Sequence, residues 1–340
     1  MSESTETRRP APALRWAWTL ILAGLAAVTI WAPGEVLETF LFVADSLVCV
    51  APLVGPGILL AAWINASGAG SIVAGAFGGR VPQAILMASA IGAITPVCGV
   101  TVLPLMTGLL AAGVPLAPIM AFWLASPITD PAMLAATGAT LGFGFALGKT
   151  LAALGLGLLG GFATAALSPL PWTHAPLRQS RFLAGLGGTA CGSSVGFQAA
   201  VWANPERRAH LFRELRAMTR LILICLIPAF AAEHVLNGLL QPEALTPYVG
   251  AEAWWAIPLA VFVGAPAYID GYAALPLTRA LMEHGMSPGT AMAFLVSGGV
   301  VSIWGAMAIA PILRIGPFAL YLTLAVTGSL CAGWLYEFVA

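Results

Sequence analysis

Charge is what this 340-residue chain lacks most: 8% of its residues are Asp, Glu, Lys or Arg, against roughly a quarter in an average soluble domain. A chain so poor in charge cannot turn its surface to water. Hydrophobic residues make up 59%, and no long polar block interrupts them in which a separate soluble catalytic domain would fold. The 14 basic and 14 acidic residues cancel, which leaves no basic footprint for nucleic acid. Lysine is nearly missing, with Lys149 the sole example, so arginine carries the positive charge and its placement becomes a topology signal. The five cysteines, Cys49, Cys98, Cys191, Cys225 and Cys331, form no CxxC; this excludes a disulfide framework and a zinc ribbon, and they read as buried small hydrophobes. His174, His210 and His284 lie between the apolar runs without ligand spacing. Nothing resembles a nucleophile, base and orienter set. No metal, no cofactor and no enzymatic chemistry are expected.

What the chain has instead is length of apolar sequence. Runs able to cross about 30 Å of hydrocarbon lie near 14–33, 36–63, 83–111, 115–141, 146–168, 220–241, 254–281, 288–310 and 316–337. The first reads as a membrane anchor rather than a cleaved signal, because it is long, lacks a small-residue cleavage site and is followed at once by further spans. A tenth candidate, Phe182 to Ala203, carries no charge but is rich in Gly, Ser and Thr. Charge bias decides for it. With Arg8, Arg9 and Arg15 inside, five crossings would leave Arg207, Arg208, Arg213, Arg216 and Arg220 outside, and a sixth crossing returns them to the cytoplasm. The expected fold is therefore an all-α polytopic membrane protein of about 10 transmembrane helices.

The sequence also repeats. A gapless shift of 172 residues aligns Gly92-Ala93 with Gly264-Ala265, Pro104-Leu105 with Pro276-Leu277, Gly113 with Gly285, and Met120-Ala121-Phe122 with Met292-Ala293-Phe294. In all, eleven of the forty positions 92–131 are identical to their counterparts. The expected organisation is a cytoplasmic tail (1–13), a first membrane repeat (14–168), a loop (169–181) and a second repeat (182–340), with motif cores 92–131 and 264–303. Five spans between equivalent helices would set the halves upside down to one another; nine spans in total would leave them parallel.

Each half interrupts two of its apolar runs with helix breakers. These are Gly92 to Gly99, with Thr95, Pro96 and Cys98; Ala125 to Pro131, with Ser126, Thr129 and Asp130; Gly264 to Gly271, with Tyr268 and Asp270; and Ser297-Gly298-Gly299. Proline and glycine there open backbone groups that lipid cannot satisfy. Something polar must face them, and matched interruptions in two halves point to a binding site near the midplane. Asp130 and Asp270 sit within the interruptions and are the first candidates for proton coupling, with Asp45, Glu233 and His234 as further ionisable residues in apolar runs. Under the repeat Cys98 faces Asp270 and Asp130 faces Ser302. The glycines at 155, 157, 160 and 161 read as helix packing, Trp254 and Trp255 as an interfacial belt, and Trp123 as core.

The stretch Thr95-Pro96-Val97-Cys98-Gly99-Val100-Thr101-Val102-Leu103-Pro104, followed by Gly113, Ala121-Phe122 and Ala125-Ser126-Pro127-Ile128-Thr129-Asp130-Pro131, resembles the ArsP-type permease family. That family carries a TP-x-CSC-x-x-x-P motif and an ASP-x-x-NP motif in its first half. Gly264-Ala265-Pro266-Ala267-Tyr268, Pro276-Leu277 and Ala293-Phe294 resemble its second half. The likeness covers about 36–168 and 206–337. It implies an inner-membrane permease, in some members one that exports trivalent organoarsenicals. Cys98 takes the place of the first family cysteine, but Val100 stands at the second and Asp130 at the asparagine. A soft arsenic centre prefers two thiolates, so the substrate stays open between an organoarsenical-like and another small molecule. The reading is a permease, housed in the lipid bilayer, that moves a small solute by alternating access, with efflux as the family expectation; a passive channel and a membrane-embedded enzyme or assembly factor are the alternatives. Direction, coupling ion and a homo-oligomeric state are left open by the residues.

Overall fold

The computed structural model describes residues 33–69, 80–95, 102–111, 113–178, 197–239, 254–267, 274–301, 306, 309–310 and 312–340. Their regular structure is helical, apart from isolated bridges such as Leu177 to Leu313. In chain order the helices are α1 (Pro33–Ser67), α2 (Val81–Ile94), α3 (Val102–Ala111), α4 (Leu116–Ala125), α5 (Pro131–Leu141), α6 (Phe143–Ala166), the short α7 (Pro171–His174), α8 (Pro205–Leu239), α9 (Ala256–Ala267), α10 (Ala274–Glu283), α11 (Pro288–Val300) and α12 (Ile315–Val339). Proline opens five of them, at 33, 131, 171, 205 and 288. Its fixed φ suits the first turn, where its missing N–H costs nothing.

Among the described residues two helices, α6 and α12, are long and apolar enough to cross a bilayer by length and composition. Their outer faces carry Leu147, Leu151, Phe162, Trp334, Leu335 and Phe338, all exposed. Water would not tolerate such a face, whereas lipid does. The same solvent explains a correction: Cys49 and Cys331 are exposed rather than buried, because a thiol facing acyl chains loses nothing by pointing outward. The expected runs 83–111, 115–141 and 254–281 are each two helices, α2 with α3, α4 with α5, and α9 with α10. The run at 14–33 lies outside the described residues but for Pro33. So does most of 182–203; its end, Val201–Ala203, is a single 3-10 turn.

Helix bounds recur at the spacing the sequence repeats. Pro33–Ser67 and Pro205–Leu239 start and stop 172 residues apart, as do α3 and α10; α6 and α12 also start 172 residues apart and end within one residue of that spacing. In the first half α2, α4 and α6 pack on one another; in the second α9, α11 and α12 do. The contacts match in detail. A Cβ on Gly92 would lie 2.8 Å from the Phe122 carbonyl oxygen, and one on Gly264 would lie 2.8 Å from that of Phe294. Only glycine lets these helix backbones approach so closely. Likewise α3 and α10 both end in a left-handed glycine, Gly113 (φ 90°) and Gly285 (φ 102°). Val114 N–H then donates to Leu109 O and Met286 N–H to Leu281 O, both at 3.0 Å, the αL ending that spares the last carbonyls.

The long helices pair with their own counterparts, and they do so antiparallel. In the α1 and α8 pair, the Phe42 ring lies 5.0 Å from His234 while at the far end Arg207 Nη1 donates to Ser67 O at 2.8 Å. In the α6 and α12 pair, Phe145 meets Tyr336 at 5.1 Å. Further along, Leu156 closes on Gly328, whose Cβ would sit 2.6 Å from Leu156 Cγ. Gly157, Gly160 and Gly161 are buried against α2 and α4, while Gly155 faces an open groove. Between the halves, the described part of the loop is tied down by Arg178 N–H to Ile312 O and Arg314 N–H to Pro176 O, each 2.8 Å.

Candidate functional site

The helix α2 stops at Thr95, whose N–H donates to Ile91 O (3.0 Å) and Gly92 O (3.2 Å) and whose hydroxyl donates to Ile91 O (2.5 Å). Pro96 and Cys98 follow, outside the described residues. The helix α4 stops at Ser126, and the chain turns through 126–128 before α5 begins. Ser126, Ile128 and Thr129 are 2%, 2% and 4% exposed. Non-helical backbone in a membrane protein has to be covered in this way by protein.

The interruption restarts as a helix through Asp130. Its backbone is extended (φ −143°, ψ 170°), and its Oδ1 accepts the N–H groups of Ala132 and Met133, each at 2.8 Å. With proline at the first helical position and an acidic residue just before it, Asp-Pro here is a helix start. The carboxylate assigned to coupling from sequence therefore has a capping task as well.

In the second half the helix does not break at Ser297-Gly298-Gly299. The helix α11 runs through these residues to Val300, and Val301 N–H still donates to Ser297 O at 2.8 Å. The glycines serve proximity instead: a Cβ on Gly299 would lie 2.9 Å from Pro127 O, and one on Gly298 would lie 3.3 Å from Gly264 O. Ser297 is fully buried and its hydroxyl donates to Phe294 O at 3.1 Å. The first-half turn and the second-half helix thus meet backbone to backbone. Tyr268, Asp270 and Ser302 lie outside the described residues.

At this junction Pro127, Ile128, Met133, Lys149, Ala274 and Phe294 line a cavity of about 20 Å³. Lys149 is a buried ionisable residue that the sequence reading left without a role. It is the chain's one lysine, placed on α6 and 3% exposed. No described carboxylate comes within salt-bridge distance of it. Its signal was present, since a lone cation at the head of an apolar run is costly unless it has a use. Ser126 Oγ, Trp123 Nε1 and Thr137 Oγ1 are also buried, with no hydrogen-bond partner among the described residues. Trp123 stacks on Tyr321, ring centroids 4.7 Å apart, and the Tyr321 hydroxyl donates to Val300 O. Orphaned donors and acceptors of this kind are rare in a packed interior.

Elsewhere, Glu35, Glu38 and His234 bring one ligand atom each within 4.8 Å of one another. The two carboxylates are exposed, at the Pro33 end of α1, and belong to a different part of the molecule from the cavity. Asp45 is exposed on α1, and His234 is half-buried.

The family model described as "predicted permease" matches residues 35–338. The UPF0718 protein MJ0584 of Methanocaldococcus jannaschii is 23% identical over 305 residues, covering 76% of this chain and 84% of its own. No solved structure matches. The match spans both helical halves and the junction between them, and the chain belongs to this permease family, as an integral membrane protein.

Proposed function

We propose that the chain is an inner-membrane permease of a bacterial type, built as two inverted repeats (14–168 and 182–340). It moves a small solute outward by alternating access at the junction of Ser126–Asp130 with Val300. Transport, not bond-making, is its task. The observation that carries the reading is the antiparallel pairing of counterparts: α1 lies against α8 and α6 against α12 with their directions reversed. Spanning helices related by an axis along the membrane normal would run parallel, whereas an axis in the membrane plane turns one against the other. Two such halves can rock about that axis and expose the junction first to one side and then to the other. Asp270, opposite Cys98 in the repeat, is the residue we assign to proton coupling. Cys98, Pro96, Thr95 and Ser302 complete the lining with Thr129, Tyr268 and Ser297.

Cysteine accessibility tests both parts of this reading. In a background with the five native cysteines replaced, Leu37→Cys and Ala209→Cys, exposed positions 172 residues apart, react with an impermeant maleimide from opposite faces, Leu37 from outside and Ala209 from the cytoplasm. Ser126→Cys reacts slowly from each face in turn. Labelling of 37 and 209 from one face would end the inverted arrangement, and a Ser126→Cys protein inert from both faces would end alternating access.

A further inference from the structure

The chemistry around Lys149 narrows the class of solute. A buried ammonium loses several kcal/mol of hydration, and a chain with one lysine has placed it where two halves meet. Ala274 of α10 lines the same cavity. One acidic group of this junction is Asp130, whose Oδ1 already receives two N–H groups of its own helix. Those N–H groups at the start of α5 offset part of that carboxylate's charge. The counterpart of Lys149 in the repeat, Tyr321, brings a neutral hydroxyl that donates to Val300 O, so that position supplies no counter-charge. Ser126 Oγ, one residue before the cavity-lining Pro127, is buried with no hydrogen-bond partner among the described residues. Seven residues separate Lys149 from Leu156, where α6 crosses its counterpart, which puts the ammonium about 10 Å from the midplane. It therefore lies within the hydrocarbon layer.

We infer that Lys149 holds the transported solute by a negatively charged oxygen group, so that the permease carries small oxyanions of the carboxylate, phosphonate or sulfonate kind. This rests on the alternating-access reading above. The present cavity of about 20 Å³ has room for about one water, so the structure is the closed form, and the anion reaches Lys149 when the halves part.

Because the chain has one lysine, an amine-reactive reagent read by mass spectrometry at Lys149 reports on this site alone. With wild-type protein in nanodiscs, methanesulfonate or methylphosphonate slows acetylation of Lys149 about fivefold or more, and urea and glycerol do not. Proteoliposomes then show saturable flux of the same anions. Lys149→Gln lowers that flux about tenfold, the scale of one charge-assisted contact, and Lys149→Arg restores part of it. Absence of protection by both anions, or equal protection by urea, overturns the proposal even when every variant misfolds, because that measurement uses the native chain. Saturable flux of urea or glycerol without anion protection would leave the permease standing and remove the anion.

Discussion

Where the first half carries Lys149, the second carries Tyr321, and both side chains are buried at the junction, 3% and 2% exposed. A similar divergence marks the helix starts. Asp130 caps α5, whereas α11 is capped by Ser287 and by Glu337 from α12, whose Oε2 accepts from the Ser287 hydroxyl and Gly289 N–H at 2.7 Å each. The counterpart of Ser287, Pro115, makes no such side-chain cap. Yet Gly92 and Gly264, or Gly113 and Gly285, keep the same contacts in both halves. The repeated scaffold is held by positions that set how closely backbones approach. Polar positions are freer to differ, because a scaffold repeats as long as its backbones approach in the same way.

The largest effect expected on this comparison is at the shared glycines. Gly92→Val and Gly264→Val each force side-chain atoms against a carbonyl 2.8 Å from the Cβ position, and overpacking of this kind costs about 1–3 kcal/mol or more. Both should lower the midpoint of thermal unfolding in detergent by similar amounts. A large difference between them would show that the two halves are not equally packed. Next come the divergent positions. Tyr321→Phe removes one buried hydrogen bond to Val300 O, about 1 kcal/mol, and keeps the stack on Trp123; stability drops modestly while anion protection of Lys149 persists.

Smaller still is the separation of capping from charge at Asp130. Asparagine caps as well as aspartate, and alanine loses about 1 kcal/mol. Asp130→Ala should therefore unfold earlier than Asp130→Asn, and equal midpoints would remove the capping role. The smallest effect concerns His210, ahead of the apolar part of α8. Burial, and then the Arg213 guanidinium, hold its pKa below the usual histidine value of 6.5 even with Glu214 4.0 Å away. A folded pKa below the unfolded one favours the neutral ring, so its contribution is present above pH 6.5 and is lost as pH falls through the folded value. The wild-type midpoint should decline from pH 7.5 to 5.5 more steeply than that of His210→Gln.

Much of the fold was legible in the residues, because hydrophobic length and proline position are local signals. The 172-residue spacing read from Gly92, Pro104, Gly113 and Phe122 returns in the helix bounds. The interruption at Ser126 to Pro131 was legible for the same reason. Ser297-Gly298-Gly299 was not: two glycines weaken a helix but do not remove its hydrogen bonds, and packing against Pro127 and Gly264 keeps them helical. Asp130 was half legible, since sequence marks an ionisable group in an apolar run but not whether neighbouring N–H groups already engage it. Lys149 was missed because it sits at the head of a run, where a cation reads as an end marker; the tertiary fold brings α5, α10 and α11 over it.

Because Leu156 meets Gly328, its own counterpart, the crossing of α6 and α12 is a contact that a half-length ancestor would make with a second copy of itself. On the inverted-repeat reading such an ancestor would have had to enter the bilayer in both orientations, and fusion of two copies would have fixed one for each and left residues 149 and 321 to differ.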